Sequence, residues 1–218
     1  MPLAEIPLNK AVQLFFASDS KRTEILRKDA YRSARSRPKA NGGNFHTAFW
    51  SDAKDHVAGL LDLREATSER ISKNPKCKRL YELLRDGFLQ LWNEKRRWLN
   101  EPVKIVAKNI HGQFECHPCA VSMRGALHVR AGDFYSRIVY PYFSEEPELG
   151  EDGARLILWA MIEALPAHDP EEMRIIDVIR AKSYSIANCP LRGDEFELFE
   201  EKISLIADEW ERLRRSYD

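Results

Sequence analysis

No stretch of the chain is apolar for anything near the roughly 18 residues that a membrane-crossing helix needs. The first residues, MPLAEIPLNKAVQLFFASDSK, lack a basic run ahead of their short, interrupted apolar segment, so no signal peptide is expected. Cysteine is sparse: Cys77, Cys116, Cys119 and Cys189 in 218 residues do not make a disulfide framework and suit a reducing compartment. Together these absences point to a cytoplasmic protein without a membrane partner. Signature motifs are missing as well. There is no HExxH, GxSxG, P-loop or GxGxxG, and the six histidines show no metal-binding spacing. Hydrolase and nucleotide readings therefore have no anchor, and no cofactor is implied.

What is present is ordinary globular material, 44% hydrophobic and 31% charged. The length suits one core, read as a single α+β domain over 1–218. The net charge of zero conceals a split: residues 144–218 hold 19 acidic and 9 basic side chains, leaving 15 and 25 in residues 1–143. Such a division fits a nucleic-acid face, two halves that attract each other, or a solvated surface of uneven charge.

The pattern predicts a helical part over 1–73. Leu8, Val12, Phe15 and Phe16 share one helical face, Ser18-Asp19-Ser20 recaps the chain, and a basic helix follows over 21–35. Segment 36–46 reads as a loop through Pro38 and Gly42-Gly43, and Ser51 as the cap of a helix facing Ala53, Val57, Leu60 and Leu61 inward. Residues 74–218 then read as an α-β-β-β-α-β-α core. Asn74-Pro75 starts a helix bearing Leu80, Leu84, Phe88, Leu91, Trp92 and Trp98, expected to end near Leu99. Strands are expected at 103–107, 113–123, 127–129 and 135–143, with Pro141 marking an edge or a bulge. A buried helix over 154–165, a strand from 173 to 179 running toward 186, and a helix opening at Asp194 with Glu197 in a capping box complete the order. Leu80, Leu84, Phe88, Leu91, Trp159, Ile162 and Ile176 are the expected core. The last helix spaces Phe196, Phe199, Ile203, Ile206, Trp210 and Leu213 on a narrow seam, expected to dock on the N-terminal helices and bring Glu197, Glu200 and Glu201 to the basic half.

Two clusters carry candidate chemistry. Cys116-His117-Pro118-Cys119 has redox spacing, yet strand and turn follow it where a thioredoxin-like site needs a helix. A zinc site would have to recruit Cys189, His117 or His128, without a second closely spaced ligand pair. Two plain thiols beside a strand are expected, with no metal and no catalytic residue. The basic residues Lys21, Arg22, Arg27, Lys28, Arg32 and Arg35, together with Lys95, Arg96 and Arg97, are candidate nucleic-acid contacts, against the plainer alternative of a solvated helix face.

From Asn74 onward the order of elements resembles the restriction-endonuclease-like core of PD-(D/E)xK nucleases, in particular the RecB/Cas4-like branch. The resemblance implies a divalent-metal site built from an Asp near the end of the second strand and an Asp/Glu-x-Lys on the third. Asp133 matches the first. The third strand offers Tyr140 and Tyr142 where the acid and the lysine belong, and Asp177 and Lys182 have the wrong spacing. Three functions are therefore expected in turn. The first is a non-catalytic binding or scaffolding protein, monomeric or homodimeric, on a degenerate nuclease-like fold. The second is a metal-dependent nuclease using Asp133 with Glu94 or Glu82. The third is a nucleic-acid-binding accessory protein acting through the basic half.

Overall fold

A computed structural model describes residues 3–34, 45–95, 103–132 and 135–217. The chain forms β1 (Glu5–Pro7), α1 (Leu8–Phe16), α2 (Asp19–Ala34), α3 (Phe45–Val57), α4 (Leu63–Lys73) and α5 (Lys78–Gln90). It continues through β2 (Val103–Cys116), β3 (Cys119–Ala131), β4 (Tyr135–Tyr142), α6 (Glu151–Ala164), β5 (Met173–Asp177), β6 (Lys182–Tyr184) and α7 (Glu195–Arg215). This is an α+β protein with a mixed six-stranded sheet.

β3 is the spine of that sheet. One edge pairs antiparallel with β2; the other pairs first with β1, in parallel, and then with β4, antiparallel. β5 lies parallel to β4 after the α6 crossover, and β6 turns back antiparallel along β5. Pro141, expected to mark an edge or a bulge, sits near the end of an interior strand. It falls beyond the last β3–β4 pair (Leu127↔Val139), where β3 needs no donor from it, and its carbonyl accepts a hydrogen bond from Asn9 Nδ2 at 3.2 Å.

Two apolar clusters occupy the two faces of the sheet. The first joins α1, α2, α6 and α7 to Val121, Met123, Ile138 and Ile175; the second joins α3 and α5 to Leu127, Val129 and Ile176. An uninterrupted strand would put residues 121, 123, 127 and 129 on one face. Gly125 is why β3 serves both. Its register runs from His111↔Arg124 to Ile110↔Ala126, so one extra residue bulges out and reverses the alternation. Gly125 has φ +82°, and a Cβ there would meet nothing within 4 Å, so backbone conformation rather than space calls for glycine. The Trp50 indole nitrogen of α3 donates to the Gly125 carbonyl at 2.7 Å and ties the second layer to this bulge.

Of the expected core, Leu84, Phe88, Leu91, Trp159 and Ile176 are buried, and Leu80 and Ile162 pack at its margins. α7 docks on its own chain as its spacing predicts: Phe199, Ile203, Ile206 and Trp210 are buried, and Phe199 meets the Phe15 ring edge-on at 4.9 Å. Burying each such side chain contributes about 1.5–3 kcal/mol. Phe196, at the start of the seam, is 49% exposed. Glu209, and not Glu197, Glu200 or Glu201, makes the charge contact: it accepts from Arg22 Nε at 2.8 Å and from the Thr23 hydroxyl.

Several boundaries differ from expectation. α3 starts at Phe45, so Ser51 lies inside it, and Leu60 is 70% exposed beyond its end. α4 has no apolar stripe to announce it. It forms because Asp62 caps it, accepting from the Arg64 and Glu65 backbone N–H groups. Asn74 caps a 3-10 turn (Pro75–Cys77) that leads into α5, and α5 runs on into a π-helical turn (Leu91–Lys95); the expected end near Leu99 lies outside the described residues, as does most of the 36–46 loop. The stretch 113–123 is the tip of the β2–β3 hairpin, not one strand. The strand expected from 173 toward 186 is two strands, folded at Ala181 with φ +49°. At α7 the capping box is replaced by Glu195, which accepts from the backbone N–H groups of Arg192 and Gly193, while Asp194 turns to Arg155.

Candidate functional site

The first sheet face is closed by α1, α6 and α7. On the second, α3, α5 and the π-helical turn face the sheet near the N-terminal ends of β4 and β5. A cavity of about 440 Å³ remains there, a volume usual for a small-molecule site. Its floor is the sheet: Leu127, Val129 and Ala131 of β3, Tyr135, Arg137 and Val139 of β4, Arg174 and Ile176 of β5, and Ser183 of β6. Its roof is Trp50 and Val57 of α3, Phe88 of α5, and Leu91, Trp92 and Lys95 of the π-helical turn. Ser185 and Asn188 close the β6 end.

The roof is held at its height by specific contacts. A Cβ on Gly87 would lie 2.0 Å from the Val178 carbonyl oxygen, so only glycine lets α5 sit this close to the end of β5. One residue later, Phe88 stacks with Trp92 at 6.2 Å and 7° and meets Trp50 edge-on at 6.1 Å. Lys95 Nζ donates to the Ala181 carbonyl at 2.9 Å, pinning the π-helical turn to the β5–β6 turn. A π-helical turn carries one residue more than an α-turn, and such turns recur at functional sites.

Among the described residues the charged groups lining the cavity are of one sign. Three of its lining residues are cations, Lys95, Arg137 and Arg174, and no Asp or Glu lines it among the described residues. Arg137 Nη1 donates to the Ser136 carbonyl at 2.6 Å, and Arg174 Nη1 to the carbonyls of Glu171 and Met173, which fixes both guanidiniums at the strand ends. The walls and floor are otherwise apolar and aromatic. The chamber can hold an anion with an apolar body; its described lining supplies no carboxylate for general-base work or for holding a hard cation.

The candidates read from the sequence lie mostly elsewhere. On α2, Lys21 and Lys28 pair with Glu24, Arg32 with Asp29, and Arg22 with Asp19 and Glu209, so acids on the same helix and on α7 compensate much of that charge. Arg27 lies on the same helix, and Arg35, Arg96 and Arg97 fall outside the described residues. Lys95 alone of the described candidates reaches the cavity.

Cys116 and Cys119 are cross-strand partners flanking the hairpin turn at His117-Pro118, both buried and both free. Burial pushes the Cys116 thiol up to about 12 and the Cys119 thiol up to about 11, the reverse of what a redox nucleophile needs. Among the described residues no three His, Cys, Asp or Glu side chains come together as metal ligands. His128 instead meets His168 edge-on at 5.8 Å and bonds to the Ser136 hydroxyl through Nε2 at 2.6 Å.

The positions tied to the nuclease resemblance separate in the same way. Tyr140 and Tyr142 point into the first core, on the opposite face of the sheet from the cavity, and the Tyr142 hydroxyl donates to the Pro147 carbonyl at 2.7 Å. Asp133 lies outside the described residues. Glu82 and Glu94 do not line the cavity. Asp177 is fully buried at the end of β5. Burial raises its carboxyl above the ordinary value, against the pull of Arg180, whose backbone and guanidinium both bond to it.

Sequence reasoning missed the cavity because its parts lie far apart in the chain and none forms a motif. The available signal was the combination of Arg137 and Arg174 with apolar neighbours in strands otherwise suited to burial. Among the described residues no helix is long and apolar enough to cross a membrane. No protein-family profile, curated protein or solved structure matches the chain.

Proposed function

We propose that the chain is a binding protein rather than a catalyst, and that it holds a small anionic ligand in the cavity between the second sheet face and α3/α5. One observation carries the reading: a chamber of about 440 Å³, aromatic and aliphatic over most of its lining, presents Lys95, Arg137 and Arg174 with no carboxylate among its described residues. The element order α5-β2-β3-β4-α6-β5 supports placing this function on a nuclease-like core without the family's metal chemistry. Compensation of the α2 charges shifts weight away from nucleic-acid binding through the N-terminal helices.

Anilinonaphthalene sulfonate, a flat apolar body with one fixed negative charge, is a suitable probe. Its fluorescence should rise saturably with one equivalent of folded protein. Arg174→Glu and Arg137→Glu should each weaken the signal about tenfold or more, the scale of one lost charge-assisted hydrogen bond plus repulsion. Circular dichroism on the same samples verifies that the variants remain folded. Equal fluorescence in wild type and both folded variants, or none in the wild type, contradicts the reading.

A further inference from the structure

Outside the cavity, one cluster joins a nucleophile to a base. In the β3–β4 ladder His128 stands opposite Ile138, whose side chain belongs to the first core, and Arg130 stands opposite Ser136, two residues before Ile138. Ser136, His128 and Arg130 therefore share the first face of the sheet, opposite the cavity. The connection between α6 and β5 adds His168, edge-on to His128 at 5.8 Å, and Glu172, whose charge acts on the His128 ring. His128, Ser136, His168 and Glu172 are all half-buried. Ser136 Oγ lies 2.6 Å from His128 Nε2, and among the described residues the hydroxyl makes no other bond. With the ring proton on Nδ1, this one bond satisfies both groups, the hydroxyl donating and Nε2 accepting. Burial lowers the His128 pKa below its ordinary value; His168 and Arg130 push the same way, and Glu172 opposes them. The ring is then neutral near pH 7 and able to take a proton.

A hydroxyl held against a neutral imidazole is the arrangement that activates a serine. Arg130 adds positive charge on the same face, which favours the oxyanion of an acyl intermediate. We infer that Ser136 is a reactive serine that accepts an acyl group from a carboxylic ester, with His128 as its general base. The bond from Ser136 Oγ to the ester carbonyl carbon forms, and the bond from that carbon to the alkoxide breaks. The hydroxyl proton passes to His128 Nε2 and on to the departing alkoxide, leaving acyl-Ser136 and an alcohol. One acyl group per chain, without turnover, leaves the binding role of the opposite face as it stands.

A biotinylated fluorophosphonate tests the nucleophile on the wild-type chain: its P–F bond breaks as the Ser136 Oγ–P bond forms, and the serine proton leaves with the fluoride. Peptide mapping by mass spectrometry should place a single label on Ser136. p-Nitrophenyl acetate should release one equivalent of nitrophenolate in a burst that Ser136→Ala lacks. The labelling rate should rise with pH and level off, with its midpoint below 6.5, because the neutral His128 ring is the reactive form. His128→Gln should slow labelling about a hundredfold or more. Glu172→Gln should move the midpoint to lower pH, since the carboxylate that favours the charged ring is gone. Circular dichroism verifies that the variants are folded, and the wild-type label and pH profile stand without them. No label on wild-type Ser136, an equal rate in folded His128→Gln, or a rate that climbs through the alkaline range without levelling off overturns the inference.

Discussion

The two faces of the sheet are built from the same strands and put to different use. On the first, α6 is buried on nearly every side, and α7 adds the buried side chains of Phe199, Ile203, Ile206 and Trp210 to the same cluster. Phe199 there meets Phe15, Phe114 and Trp159 with centroids at 4.9, 5.8 and 5.2 Å. On the second, aromatic packing is similarly dense around Phe49, Tyr81 and Phe88, then stops short and leaves Arg137 and Arg174 in the floor of a cavity. One face is filled; the other retains a cavity of about 440 Å³. The Gly125 bulge, by reversing the alternation within β3, lets one strand serve both.

The largest expected effect breaks the first face outright. Deleting residues 194–218 removes Phe199, Ile203, Ile206 and Trp210 from the core and should leave no cooperative unfolding transition by circular dichroism. A truncated chain that still melts cooperatively would show that α7 is dispensable. Next in size, Phe199→Ala should cost about 3–5 kcal/mol by urea titration, and Phe88→Ala nearer the lower end of that range, because its site already borders a cavity. Equal losses would erase the distinction between the faces.

The α6–α7 ion cluster follows. Arg155, 4% exposed, bonds to Asp194 and to Glu195, itself 2% exposed. Arg155→Ala leaves the Glu195 carboxylate buried beside fewer donors and should cost about 3–5 kcal/mol. Burial works to raise the Glu195 carboxyl, but the Arg192 N–H and the Arg155 guanidinium outweigh it and hold the group below the ordinary 4.5. An acid held low in the folded state adds stability above that value, and the stability is lost as pH falls through the folded pKa. Acid titration of the melting point should therefore show a component below the ordinary value that is reduced in Arg155→Ala, where the backbone N–H groups of Arg192 and Gly193 still hold the carboxylate. The α2–α7 contact is smaller: Glu209→Gln weakens its bonds to Arg22 and Thr23 and should cost about 1–2 kcal/mol.

Smallest of all is Asp177→Asn, expected within about 1 kcal/mol of wild type near neutrality, since the lost pairing with Arg180 is offset by relief from burying a charge. Its pH behaviour has the opposite sign to that of Glu195. An acid whose pKa is raised in the folded state favours folding more as pH falls through that raised value toward its unfolded value. The variant should lack this gain, and an unchanged pH profile would contradict it.

How far the sequence reaches can be seen residue by residue. The spacing of Phe199, Ile203, Ile206 and Trp210 and the all-round apolarity of residues 154–165 record burial directly; the last helix lies where its pattern puts it, and the buried helix runs over Glu151–Ala164. Strand boundaries were less legible. Gly112-Gln113 looks like the start of a strand because glycine usually interrupts one; here it is interior, since a Cβ on Gly112 would lie 2.2 Å from the Ala164 carbonyl oxygen of α6. Cys116 and Cys119 share the spacing of a redox pair, and only the hairpin register makes them neighbours across a turn. The cavity was invisible because its lining comes from segments far apart in the chain, a property of tertiary packing that no local pattern encodes. Arg137 and Arg174, 37 positions apart in sequence, become neighbours only once α6 has brought β5 beside β4.

Methyl-resolved NMR of the wild-type chain, titrated with anilinonaphthalene sulfonate, tests the division of the sheet most directly. Leu127, Val129, Val139 and Ile176 report the open face, and Val121, Ile138 and Ile175 the closed one. The account predicts saturable shifts in the first group with the second unmoved. Shifts centred on Val121, Ile138 and Ile175, or none in either group at saturating probe, would contradict it.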